Sequence, residues 1–74
     1  MSRLPVVSGS EMVRALKNTG YYIDHQTGSH IILRNDNPPH RRLSVPNHKE
    51  LAKGTLRALI KQVGLTIEEF KLLL

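Results

Sequence analysis

The chain has no cysteine and no tryptophan. Without cysteine there can be neither a disulfide nor a thiolate zinc site, and the composition suits a reducing, cytosolic compartment. The only aromatic residues are Tyr21, Tyr22 and Phe70. That is sparse for a surface that binds single-stranded nucleic acid by stacking base after base. No apolar run approaches the ~20 residues needed to span a bilayer. The opening MSRLPVVSGS has too short an apolar stretch for a signal peptide. Acidic residues are few and scattered, whereas two-metal nuclease chemistry needs clustered carboxylates. The four histidines, with no cysteine among them, lack the usual spacing of zinc ligands. No repeat and no low-complexity tract is present. These absences suit a soluble cytosolic domain without metal or cofactor; for the oligomeric state, on which they do not bear, a monomer when free is the default expectation.

What is present is basic. Eleven Lys plus Arg against six Asp plus Glu leave a formal charge of +5 over 74 residues, and the isoelectric point is near 10.1. A surplus of this kind suits a polyanionic partner, either nucleic acid or an acidic protein surface. Residues 1–74 form one domain, since a chain of this length buries only about 60% of its unfolded surface and has no room for a second core.

Local signals order the chain as α-β-β-β-α with a short terminal helix. Ser8 with Glu11 is a capping box, and Val7 can staple onto Met12. Met12, Val13 and Leu16 continue the apolar stripe, and Gly20 is placed to end the helix in a left-handed turn. YYIDHQ alternates, with Tyr21, Ile23 and His25 on one side and Tyr22, Asp24 and Gln26 on the other, which reads as a strand. Thr27-Gly28 reads as the turn and SHIILR as the return strand. NDNPPH is a loop, because its prolines remove backbone donors, and RRLSVP is a third strand stopped by Pro46. A second helix enters near Lys53 and ends at Gly64, with Leu56, Leu59, Ile60 and Val63 at helical spacing. Thr66 with Glu69 caps the last helix, and Leu65 can staple onto Phe70. The fold class is α+β, a three-stranded antiparallel sheet with two main helices on one face.

Two constellations stand out. With Thr27-Gly28 as a two-residue loop, His25 faces His30 across the hairpin, roughly 4.5–5.5 Å apart at Cβ. His30 then shares a face with Tyr21, Ile23, Ile32 and Arg34, at the rim of the helix-covered core. Lys53, Arg57 and Lys61 form a stripe roughly 110° around the second helix from its apolar face, with Lys49 just ahead of it. The helix start adds free N–H groups and the positive end of the dipole, suited to phosphate. The competing readings are plain: a histidine capping a hairpin, and a solvated charged face.

Further matching residues bear on that choice. Leu16 and Gly20 close the first helix, Gly28-Ser29-His30 follow, then Val45-Pro46 with His48, and Lys53-Gly54-Thr55-Leu56 lead into the second helix. In this order and spacing, from about Leu4 to Phe70, the chain resembles the HicA family of toxin–antitoxin ribonucleases. The resemblance implies a double-stranded RNA-binding-domain-like fold, mRNA as substrate, and an acidic HicB-like antitoxin as partner. It implies that His30 is the catalytic residue, with Gly28 and Ser29 as its motif. Two departures are visible: His25 stands where the family has Arg or Lys, and the second hairpin is longer by Asn37-Pro38-Pro39.

The chemistry suits the residue types. RNA carries its own nucleophile, the 2′-OH, so a protein need only move protons and steady the phosphate charge. Imidazole is a suitable base near neutral pH, and Lys or Arg can neutralise the phosphate. His30 is thus a general base or acid, with Arg34, His25 or His48 as candidate partner. Lys49, Lys53, Arg57, Lys61 and Arg34 are candidate RNA contacts. The rival functions are a module that binds double-stranded RNA by shape without cutting it, and an interaction protein whose basic surface meets only an acidic partner.

Overall fold

The computed structural model describes residues 3–74. The elements run α1 Gly9–Lys17, β1 Tyr21–Thr27, β2 His30–Asn35, β3 Arg42–Pro46, α2 Lys53–Gln62 and α3 Ile67–Leu72. The strands form one antiparallel sheet in the order β1-β2-β3. The α+β reading of the sequence therefore holds.

Both capping boxes are formed. The Ser8 hydroxyl accepts from the Glu11 N–H at 3.1 Å, and the Ser8 N–H donates to the Glu11 carboxylate at 2.9 Å. At α3, Thr66 and Glu69 exchange the equivalent bonds at 3.0 and 2.8 Å. A helix as short as α3 is marginal alone. Its cap and the fully buried Phe70 hold it to the domain. The Ser8 backbone N–H, its side chain and the Arg14 charge together hold the Glu11 carboxyl below its ordinary value of 4.5. A carboxyl lowered on folding contributes stability that is complete above its unfolded pKa and lost as pH falls through the folded one. Ser8→Ala is expected to cost about 1 kcal/mol near neutral pH, and Glu11→Gln to flatten the acid limb of stability. Urea unfolding at neutral pH and at about pH 3 measures both. Equal acid sensitivity in wild type and Glu11→Gln would show that other carboxylates set that limb.

The core lies between one sheet face and the helices. Ile31 and Leu33 of β2, with Leu43 and Val45 of β3, pack in one cluster with α1 residues Met12, Val13 and Leu16. Leu56, Leu59 and Ile60 of α2 and Phe70 of α3 complete it. Among the described residues no helix lies on the other sheet face, which is open.

The register corrects the sequence reading at the hairpin. Thr27 pairs with His30, so the loop is Gly28-Ser29, not Thr27-Gly28. Gly28 has φ +50° while Ser29 does not have a positive φ, the pattern of a II′ hairpin with glycine first. His25 is opposite Ile32, not His30. The cause is a bulge: Ile23 pairs with Leu33 and His25 with Ile32, leaving Asp24 unpaired between them. One extra residue reverses the alternation. Tyr21 and Ile23 therefore stay on the covered side and His25 turns to the open one. His30, Ile32 and Arg34 do share a face, as the sequence suggested, but it is the open face. His30 is exposed there and does not sit at the rim of the helix-covered core.

Candidate active site

Pairing on both sides of β2 orders the open face into rows. His30 lies between Thr27 of β1 and Pro46 of β3; Ile32 lies between His25 and Ser44; Arg34 lies between Tyr22 and Arg42. Ile32 is only 3% exposed although no helix covers it, so it forms the apolar floor between the histidine row and the arginine row. Asp24 binds this surface from the bulge. Its carboxylate meets His25 Nδ1 at 2.7 Å and lies 3.8 Å from Arg34 Nε. Exposed pairs of this kind contribute about 0–1 kcal/mol, so their effect here is to orient the two side chains.

His25 is the diagonal neighbour of both His30 and Arg34, a separation of roughly 7–8 Å between backbones that long side chains can close. Arg34 is four positions along β2 from His30, or roughly 13 Å. Among the described residues no side chain hydrogen-bonds to the His30 ring, which is free to meet a ligand. Catalytic hydrogen bonds commonly tighten only when substrate is bound.

The His30 end of the sheet is held from behind. The Asn47 N–H donates to the Ser29 carbonyl at 2.6 Å, and the Gly9 N–H donates to the His48 carbonyl at 2.9 Å. Gly9 lies against the Pro46 carbonyl so closely that a Cβ would overlap it. Gly28 has a different need, since a Cβ there would meet nothing and only its positive φ requires glycine. Ser29 contributes its backbone carbonyl. His48 follows Pro46 by two positions, so its backbone is near the His30 end, and its side chain is exposed.

The structure separates the remaining basic candidates from His30. Lys53, Arg57 and Lys61 are exposed on α2, which packs on the covered side of the sheet. Lys53 and Arg57 line a depression of about 390 Å³ with Arg3 and Leu4. Lys49 is exposed in the loop that leads to α2. The α2 start has no side-chain cap and no acidic residue in its first turn. His40 lies at the opposite end of the sheet, in the turn that contains Asn37-Pro38-Pro39. That turn packs on Gly20 through Asn35 and Asn37, so the longer hairpin is remote from His30.

Two residues, one on the open face and one behind the His30 end, escaped the sequence reading. Arg42 was readable from the alternation of RRLSVP, where Arg42 and Ser44 fall outward between Leu43 and Val45. Gly9 was readable as a glycine in a first helical turn, which weakens a helix unless something approaches closely. Among the described residues, no three His, Asp or Glu side chains gather into a metal-binding group. No helix among them is long and apolar enough to cross a membrane.

A family model described as the HicA toxin of bacterial toxin–antitoxin systems matches residues 9–65. The chain belongs to the HicA toxin family. HicA toxins are mRNA interferases and pair with HicB antitoxins, so this chain is the toxin of such a pair. The matched span runs from the first residue of α1 past the end of α2. It contains the hairpin, all three strands and the open-face rows, and stops before α3. Comparisons with curated proteins and with solved structures found no match.

Proposed function

We propose that this HicA-family chain is a metal-independent endoribonuclease that cleaves mRNA by proton transfer at His30. What supports the reading is the exposed His30 ring on an open face that also presents His25, Arg34 and Arg42. His30 takes the proton from a 2′-OH, whose oxygen attacks the adjacent phosphorus. A P–O2′ bond forms as the P–O5′ bond breaks, and the departing O5′ takes a proton. His25 is the best-placed donor for it, steadied by Asp24. Arg34, farther along the same face, adds fixed positive charge that holds the RNA backbone beside the cut. The products are a 2′,3′-cyclic phosphate and a 5′-hydroxyl. Incubation of purified protein with RNA in EDTA, with analysis of the product ends, tests this; products carrying 5′-phosphates would exclude the mechanism.

The depression beside Lys53 and Arg57 favours a second role in holding RNA. Lys53→Glu with Arg57→Glu is expected to weaken RNA binding across unrelated sequences and to flatten its salt dependence, because phosphate contacts release counterions. Lys49 and Lys61 extend the same surface. An unchanged salt slope would mark the α2 stripe as plain solvated surface, and binding without cleavage would mark the whole chain as a non-catalytic RNA-binding module.

The partner follows from the same electrostatics. We propose an acidic HicB-like antitoxin that covers His30 and the basic residues around it, so that inhibition is by occlusion. A structure of the complex should show the His30 ring covered. A ring left open to solvent would require another mode of inhibition.

A further inference from the structure

Arg34 and Arg42 are directly opposed on the open face, roughly 4.5–5.5 Å apart at Cβ. Like charges in that arrangement repel, and a sheet gains nothing by it unless something anionic sits between them. The acid at hand is Asp24, 3.8 Å from Arg34 Nε and already bonded to His25. Among the described residues Arg42 has no acidic partner. On the other side of Arg34 is Tyr22, which is 40% exposed. One row across the sheet thus presents an aromatic ring and two guanidinium groups to solvent.

We infer that the row Tyr22–Arg34–Arg42 holds one nucleotide of a single-stranded RNA, flanking the nucleotide that is cut at His30. The guanidinium groups of Arg34 and Arg42 clamp a phosphate in the bidentate fashion that arginine favours, and the Tyr22 ring stacks on the neighbouring base. This rests on the reading of His30 as the catalytic residue and extends it to the substrate's path.

Three features select single-stranded RNA. The row is about 10 Å wide, from one edge strand to the other, which matches one extended strand. Duplex readers instead reach across two successive minor grooves, about 16 base pairs in all. In-line attack by a 2′-OH also needs a backbone free to leave the A-form. The roughly 13 Å from His30 to Arg34 along β2 is spanned by a short stretch of flexible strand. The scarcity of aromatic residues argues against a surface stacking many bases, and this row asks for only one.

The test uses protein carrying His30→Ala, so that RNA remains intact during binding. A short fluorescent single-stranded RNA and its duplex are titrated at several salt concentrations. Arg42→Gln is expected to weaken single-strand binding about ten-fold and to lower the salt slope by about 0.7. Tyr22→Leu is expected to weaken it about ten-fold with the slope unchanged. Lys71→Gln, the same loss of charge on α3, is expected to change neither. Arg42→Lys should retain the slope, which distinguishes lost charge from a disturbed strand. Equal affinities for the Arg42→Gln and Lys71→Gln proteins would overturn the proposal and leave the row to a protein partner. Duplex bound as tightly as single strand would overturn it as well. With His30 restored, cleavage indifferent to both Arg42 and Tyr22 would refute the row while His30 stood. No cleavage at all would remove the His30 reading, and the proposal with it.

Discussion

Replacing His30 with alanine is expected to abolish nearly all RNA cleavage and leave the domain folded. Proton-transfer groups typically supply ~10²–10⁴-fold in rate, so the variant should retain at most a small residue of activity from phosphate binding alone. Its stability should change by less than about 0.5 kcal/mol, the usual range for an exposed side chain without structural contacts. His30 meets that description: it is exposed, its loop is fixed by Gly28 and the Ser29 carbonyl, and the apolar core is supplied by Ile31 beside it. Wild-type cleavage should persist in EDTA. Thermal unfolding beside a quantitative cleavage assay separates lost chemistry from lost fold. A folded His30→Ala protein cutting at the parent rate would reduce His30 to a hairpin residue.

Much of this architecture was legible because its signals are local. Ser8 with Glu11 and Thr66 with Glu69 marked two helix starts, Gly64 marked a helix end, and Pro46 stopped a strand. Each depends on a few adjacent residues whose backbone needs are the same in any fold. The hairpin was harder, because Thr27-Gly28 and Gly28-Ser29 are both plausible two-residue loops. What selects the second is tertiary: Asn47 bonds to the Ser29 carbonyl, and β3 pairs Val45 with Ile31. Once Ile31 is committed to the core, His30 must face away from it.

The bulge at Asp24 was illegible for a related reason. YYIDHQ alternates as a regular strand should, and nothing in its composition reveals an unpaired residue. Yet that residue decides the character of the site. Without it His25 would lie on the side of Tyr21 and Ile23, and the open face would lose the histidine next to His30. The family resemblance pointed to His30; the backbone irregularity is what turns His25 onto the same open face.

Gly9 and Gly54 provide a matched comparison, since both are in the first turn of a helix and the same substitution should have opposite effects. At Gly54 a Cβ meets nothing, so Gly54→Ala should be neutral or stabilising by up to about 1 kcal/mol through helix propensity. At Gly9 the Cβ would overlap the Pro46 carbonyl and crowd the Asn47 Cα at 3.1 Å. Neither obstacle is the end of a flexible side chain, so α1 must draw back from β3. That movement strains the bond from the Gly9 N–H to the His48 carbonyl and disturbs Val7, Met12 and Leu16 in the core. Overpacking typically costs about 1–3 kcal/mol, and a rigid backbone obstacle puts Gly9→Ala at about 3 kcal/mol. Against a total of roughly 4–11 kcal/mol for a chain of this size, Tm should fall by roughly 15 °C. The effect should reach the site too, because Pro46 pairs with His30 and Asn47 bonds to Ser29. Cleavage by Gly9→Ala should therefore be impaired even at temperatures where circular dichroism shows it folded. If Gly9→Ala unfolds at the same temperature as Gly54→Ala and cuts RNA as well, the contact between α1 and the Pro46 carbonyl neither supports the fold nor positions His30.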